Sequence, residues 1–391
     1  MIRVNEAIEI IKDNTRPVDG WEEVFLDGAL DRVSYEDVFS QIDVPSFSRS
    51  AMDGYAVVFS SKNDKRFRIV DDEGLLKEGC CIRINTGFPI PEQADAIAEV
   101  EIVKKDGGFI ELTRDIERQR NFTFSGVELK RGDVVVARGE RISVRKWGLL
   151  AYSGVYRLKV RRRPNVGIIT TGDEVVFAGD RLKRGGVYNA NYYILYGLTR
   201  KWLCNPIYFG HVKDDPEKLR EAIAYAINRC DAVLTTGGVS KGSRDFIKSI
   251  LKDMDAKVFF DKTTIKPGKP AVFATVGDKP FFGLPGWPAA LYTTAYVYLK
   301  PMLFRLAGLD SVGVGYPYCV MDEPTHSRAG KCYFNRVRLS VVDGEYHGVS
   351  AGSQKTDNFY SIAVADGLVR IDEEEEDKEE GVRLPLIVFD D

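Results

Sequence analysis

Between Leu234 and Phe246 the sequence reads LTTGGVSKGSRDF, where an apolar run, DAVL, gives way to an amphipathic one, FIKSILKDM. A strand passing into a helix through glycines offers backbone N–H groups, here those of Gly237, Gly238 and Ser240, at a helix N-terminus that favours an anion. The spacing is neither G-x-x-x-x-G-K-[ST] nor G-x-G-x-x-G, so the turn is neither a P-loop nor a dinucleotide fingerprint. Asp245 falls in the first turn of the helix that follows. There it either complements the helix dipole, worth roughly 0.3–1 kcal/mol, or ligates Mg²⁺ or a hydrogen-bonding ligand. A second stretch, DKTTIKPGKP, sets Lys262, Lys266 and Lys269 close together between prolines and a glycine. Such a segment is either a solvated loop or a phosphate or oxyanion site. TTGDE adds Glu174, and GLPGWP adds a stiff turn fixed by Pro285 and Pro288. Carboxylates and lysines around glycine turns point to an anionic or phosphorylated small molecule with a divalent metal, for which Glu174 and Asp245 are the candidate ligands.

Positioning these groups requires a particular order of elements. After Pro164 strands alternate with helices: NVGIITTGDEV, NANYYILYGLTRKWL, PIYFGHV, DDPEKLREAIAYAINR, DAVLTTGG, DFIKSILKDM, then KVFFD, AVFAT and PFFGLPG before a helix starting near Trp287. That alternation implies a parallel, doubly wound sheet, whose ligands bind outside the C-terminal strand ends. TTGDE, TTGGVSKGSRD and LPGWP then share one rim. Asp214 or Asp215 caps the DDP helix, with Pro216 in its first turn and Leu219, Ile223 and Ile227 on one face. Upstream, Val4, Ala7, Ile8 and Ile11 recur at helical spacing, with Asn14 closing the helix, and a second short helix is expected over about Ala29 to Val38. Residues 56–136 are β-rich, and RISVRKWGLLAYSG resumes helical periodicity. KVRRRP, 159–164, reads as a solvated linker. Beyond Gly308, short strands return, with the acidic run 372–380 as a solvated hairpin or loop.

At 391 residues, 44% hydrophobic and 29% charged with a net charge of −3, the chain has the composition of a soluble multidomain protein and no general call for nucleic acid. Six cysteines without a C-x-x-C pair suit reduced thiols in the cytoplasm, and three scattered histidines offer no zinc spacing. No apolar run approaches membrane-spanning length.

Taken in order, PSFSRSAMDGYAV (45–57), RINTGFPIPEQADAI (83–97), ITTGDE (169–174), TTGGVSKGSRDF (235–246), IKPGKP (265–270) and GLPGWP (283–288) resemble the MoeA/gephyrin family, the molybdopterin molybdenumtransferases of molybdenum cofactor synthesis. The resemblance spans nearly the whole chain. It implies a multidomain α/β and β fold: a three-layer α/β sandwich of the molybdopterin-binding kind at 162–308, a β-rich inserted domain at 45–129, an extended helical domain from 1–44 and 130–161, and a C-terminal β-barrel-like domain at 309–391. It implies a cytoplasmic homodimer whose active site is shared between subunits, with adenylylated molybdopterin and molybdate (or tungstate) as substrates, AMP as product and Mg²⁺ as helper. By position it assigns Asp53, Glu174 and Asp245 as catalytic. Thr86, Asp214, Gly237, Gly238, Ser240, Lys262, Lys266, Pro285 and Pro288 bind substrate, and Arg336 is a candidate for reaching an oxyanion. Turn caps for Asp53, Thr86 and Asp214 and solvated lysines are the plain alternatives. Two departures stand out: Trp287 where the family commonly has Asn, and Asn189 in NAN where it often reads DSN. A non-catalytic, pterin-binding or scaffold relative is the second reading, and the adenylyltransferase of the preceding step, which does not need the SAMDGYA region, the third.

Overall fold

The computed structural model describes residues 1–61, 64–237, 244–309 and 316–390, the side chains of residues 244 and 245 excepted. Its contacts divide the chain into two compact units: Glu23–Val160, and Met1–Glu22 together with Arg161–Asp391.

In the smaller unit, the β-rich stretch forms a six-stranded sheet in the order Ala96–Glu99, Gly54–Val57, Cys80–Ile84, Arg66–Val70, Phe109–Leu112, Val103–Asp106. Alternate residues turn inward, so Tyr55, Val57, Phe67, Cys81, Ala96, Ala98, Ile110 and Leu112 make one core. A second core, with Val38, Val135, Ile142, Leu150 and Val160, receives the helix Val144–Tyr152. Ser143 caps that helix by accepting from Lys146 N. The helix expected over 29–38 does not form. Only a single 3₁₀ turn, Leu26–Gly28, precedes Asp31 at φ 59°, and Val33 and Ser34 then bridge to Arg141 and Val160. A left-handed residue stops a helix, and the bridges supply the backbone partners.

The larger unit holds a six-stranded sheet in the order Asn205–Val212, Asn165–Thr171, Ala232–Thr236, Lys279–Leu284, Val272–Val276, Lys257–Phe260. The first four strands are parallel, and the last two pairings are antiparallel because Val272–Val276 runs against both its neighbours, which corrects the expectation of a parallel sheet. The reason lies in the connection. Val276 and Lys279 are separated by Gly277 and Asp278 alone, with Gly277 at φ 58°, and two residues close a hairpin but cannot cross over. Helices Pro216–Ile227 and Arg244–Asp253 bury Leu219, Ile223, Ile247 and Leu251 against Ile169, Val233 and Phe281 on one face. Ile168 and Leu234, turned to the other face, are equally buried, and Ala190–Lys201 packs against the first two strands. Asp215 is the N-cap of Pro216–Ile227, its Oδ1 accepting from Glu217 N at 3.1 Å and Lys218 N at 3.2 Å. Asp214 is therefore free of that task.

Helix Val4–Asp13 buries Val4, Ala7 and Ile11 and packs against the helical segments Ala295–Leu299 and Lys300–Leu306. Residues 1–22 fall in the larger unit. The linker reading of KVRRRP also changes: Arg162 grips Asp231 with two bonds of 2.7 Å. Towards the C-terminus, Cys332–Val342, Glu345–Ser350, Tyr318–Met321, Arg383–Val388 and Gly367–Ile371 pair in a ring, because Cys332–Val342 bonds both its neighbours in that order. Closure leaves this five-stranded barrel without a free edge around Cys319, Met321, Val337, Val369 and Leu386. The short strand Ile265–Lys266, from the lysine-rich stretch, runs parallel to Cys332–Val342. The acidic run is not wholly solvated: Glu373 is buried and accepts from Val4 N at 3.1 Å and Thr264 Oγ1 at 2.6 Å.

Candidate functional site

Three parallel strands end side by side at Thr171, Thr236 and Leu284. Gly237 follows the second at φ 86°, and a Cβ there would lie 2.7 Å from both Thr171 O and Thr171 Oγ1, so only glycine lets the two strand ends meet. Asn191 fastens the floor, its Nδ2 donating to Thr236 Oγ1 at 2.7 Å and to Gly286 O at 2.8 Å. Its buried Oδ1 has no partner among the described residues. Asn189 caps the helix Ala190–Lys201 by accepting from Tyr192 N at 3.1 Å and donates to Thr170 Oγ1 at 2.9 Å. An aspartate at 189 could cap equally well but could not donate that second bond.

Above this floor opens a cavity of ≈ 580 Å³. Glu174, Asp214, Gly237 and Pro288 of the sequence reading line it, joined by Asn189, Asn191, Trp287, Asp357 and Phe359. Its edge is acidic. Asp214 N donates to Asp173 Oδ1 at 3.2 Å. The Asp214 carboxyl is held above the ordinary carboxylate range, first by desolvation and then by the charges of Asp173 and Glu174. No hydrogen bond or ion pair engages the Glu174 carboxylate among the described residues. His211 secures the turn that carries these acids, its Nδ1 3.2 Å from Thr170 Oγ1 and its Nε2 2.9 Å from Gly172 O. A carbonyl only accepts, so Nε2 carries a proton.

A second cavity of ≈ 290 Å³ adjoins at Gly286 and Trp287, which line both. Lys266, Lys269, Lys331 and Pro285 lie along it. Its wall needs Gly268, at φ 120°, because a Cβ there would overlap Thr294 Oγ1. Lys266 Nζ sits 4.9 Å from the Tyr333 ring centre and donates to its hydroxyl at 3.4 Å. Between the cavities, Trp287 is the N-cap of the helix Pro288–Thr294, makes no capping bond and is 59% exposed. Ser, Thr, Asp or Asn at such a position is worth about 1 kcal/mol to the helix.

The other predicted residues lie elsewhere. Lys262 lines neither cavity; its carbonyl accepts from Ile2 N at 3.2 Å. Gly238, Ser240 and the Asp245 side chain lie outside the described residues. Asp53 and Thr86 belong to the smaller unit, where Asp53 Oδ1 accepts from Thr86 N at 2.7 Å and Thr86 Oγ1 at 3.1 Å. These bonds hold the exposed Asp53 carboxyl below its usual range, the backbone one most. Arg336 is fully buried on a barrel strand and lines neither cavity. It donates to Gln354 Oε1 at 3.2 Å and to the carbonyls of Ser353 and Lys355 at 3.0 and 3.3 Å, one η nitrogen having no partner among the described residues. Desolvation pushes its guanidinium down to about 10. Its visible work is to fasten the loop that delivers Thr356 and Asp357 to the cavities. Cys332, Asp372 and Glu373 each place a possible metal-ligand atom within 4.8 Å of the others, yet Arg370 pairs with Asp372 at 2.6 Å and Glu373 is already bonded.

Sequence reasoning missed Asn191, His211, Asp357 and Phe359. The first two stood inside the quoted stretches NANYYILYGLTRKWL and PIYFGHV, without a role of their own; the last two come from a distant loop with no local signal.

A three-layer α/β domain with a ligand cavity at its strand ends is a small-molecule binding domain. The family model described as a probable molybdopterin binding domain matches residues 167–305. Models of the MoeA N-terminal region (domain I and II) and C-terminal region (domain IV) match 2–154 and 318–389. The chain belongs to the MoeA family. It is 35% identical over 292 residues to a molybdopterin molybdenumtransferase of Haemophilus influenzae, covering 72% of each chain. It is 31% identical over 386 residues to a protein of the same name from Staphylococcus epidermidis, covering 95% of this chain and 91% of the relative. A solved molybdopterin biosynthesis MoeA protein of Pyrococcus horikoshii superposes with a TM-score of 0.85 at 25% identity over the full length of both chains.

Proposed function

We propose that this protein of molybdenum cofactor biosynthesis is a molybdopterin molybdenumtransferase, inserting molybdate or tungstate into adenylylated molybdopterin with release of AMP. The observation that carries the reading is the pair of adjoining cavities, one edged by Glu174 and Asp214 and the other by Lys266, Lys269 and Lys331, in a chain similar to enzymes of that name along most of its length. Lysines hold the phosphates of the adenylate; carboxylates receive the N–H donors of the pterin or a metal ion. Mg²⁺ suits the acidic edge. Hard oxygen donors are its ligands, and it is commonly held by one or two carboxylates plus substrate phosphates. Glu174, Asp214 and, by sequence position, Asp245 would hold the ion, which supplies positive charge to the phosphate oxygens. The chain's own residues orient the adenylate and shield its phosphoanhydride: Gly237 and Asn191 shape the floor and His211 steadies the acidic turn.

The protein acts as a cytoplasmic homodimer with each active site shared between subunits. Asp53 and Thr86, with exposed Met52 and Phe88 close by in sequence, suit a surface that a second subunit covers. All six cysteines are free, which fits a reducing compartment. No helix among the described residues is long and apolar enough to cross a membrane.

The test is incubation with adenylylated molybdopterin, Mg²⁺ and either oxyanion. Oxyanion-dependent AMP release is expected. Pterin binding without it would leave the non-catalytic relative instead. Sharing of the site is tested by mixing inactive Asp53→Asn and Asp245→Asn chains under subunit exchange. Regained activity supports it, and none, with exchange confirmed by mass, refutes it.

A further inference from the structure

Trp287 is a poor choice by every local rule. It occupies a helix N-cap without capping, where a small polar residue would satisfy a free backbone N–H. It leaves more than half of a large apolar ring in solvent, at 59% exposure, with no bond to its indole N–H among the described residues. Places where a sequence breaks local preference without structural return are where function is expected. The position supplies the function: with Gly286 it lines both cavities. Pro285 and Pro288 on either side restrict the backbone, so the ring stands on a stiff turn and loses little freedom when a ligand packs on it. The charges on its two sides are opposite, with Glu174, Asp214 and Asp357 in the larger cavity and Lys266, Lys269 and Lys331 in the smaller.

We propose that Trp287 is the stacking platform for a planar heteroaromatic ring of the ligand, and so a specificity-determining residue of this site. The inference rests on the reading above. The ring lies flat on the indole with its N–H donors towards the carboxylates, while the anionic group attached to it passes the tryptophan into the lysine-lined cavity. The adenylated substrate carries two such rings, a pterin and an adenine, and the platform serves one of them.

The experiment compares the full-length wild type with Trp287→Asn and Trp287→Phe. Affinities for 6-hydroxymethylpterin and for AMP are measured by calorimetry, and thermal melting is followed in parallel. Stacking on an aromatic side chain makes a loss of about tenfold or more the expected effect of Trp287→Asn, with Trp287→Phe recovering most of it. The Asn variant is expected to melt no lower than the wild type, because asparagine caps the helix that tryptophan leaves bare. A loss confined to the pterin assigns the platform to that ring, and one confined to AMP assigns it to adenine. Unchanged affinity for both in the Asn variant, or no binding of either probe by the wild type, overturns the platform. Oxyanion-dependent AMP release by the wild type, measured alongside, separates the two failures. If release occurs while Trp287→Asn binds normally, only this inference falls; if release is absent while Trp287 still governs binding, only the transferase reading falls.

Discussion

The two units surround their carboxylates in opposite ways. In the smaller unit Glu99 is buried, and its oxygens accept from Arg114 at 2.7 Å, Arg120 at 2.8 and 3.2 Å, and Asn121 at 2.6 Å. These donors, Arg120 first, hold its carboxyl down at about 2. On the rim of the larger unit, Asp173, Glu174 and Asp214 face one another, with no cation paired to them among the described residues, and Asp214 is pushed upward instead. The first arrangement stabilises the fold, pinning the 114–121 segment to the sheet. The second costs stability and keeps negative charge available to a ligand, which is the pattern of a functional site. Burial alone would mislead here, since the buried acid is the structural one and the rim acids are exposed.

Glu99→Gln should break the first arrangement with the largest effect on stability. Its folded value lies below the ordinary 4.5, so its contribution is fully present above that value and is lost as pH falls from 4.5 towards about 2. Because the Arg114 and Arg120 side chains reach solvent, the expected loss at neutral pH is about 2 kcal/mol rather than the full shift. Denaturant melts at pH 7 and pH 3 check it, and an equal difference between variant and wild type at both would refute the pairing argument. On the rim, Glu174→Gln should leave melting nearly unchanged while turnover falls roughly tenfold or more. Loss of stability equal to that of Glu99→Gln would place the two acids in one class. Lys266→Ala should weaken binding of the anionic ligand and flatten its salt dependence, read from affinity across a salt series. The smallest effect is expected for Asp214→Asn. A raised acid costs stability above its ordinary value, and that cost disappears as pH falls below it. The variant should therefore melt slightly higher at pH 7 and match the wild type in acid. A lower melting point at pH 7 would mean that Asp214 is held by attractions instead.

Sequence by itself determined whatever depends on neighbours a few residues away. Pro216 with an acidic cap and Leu219, Ile223 and Ile227 at helical spacing reads as one helix in either setting, since capping and amphipathic periodicity act within a few turns. The short alternating strands beyond Gly308 were legible from the residues, and the family resemblance gave their closure into a barrel. Ordered motifs brought Glu174, Gly237 and Pro288 to one rim, through the rule that ligands meet parallel sheets at strand ends. What the tertiary structure alone decided depends on residues far apart in the chain. The helix at 4–13 could be read but not its partner, because an apolar stripe specifies burial and not what covers it. The charge at Glu99 could be read but not its arginines. Asp357 and Phe359 reach the cavity only because a strand from the lysine loop joins the barrel and Arg336 fastens the loop between them. Long-range pairing of this kind leaves no periodic trace in the segments it joins, so the cavity's second wall appears only once the chain is folded.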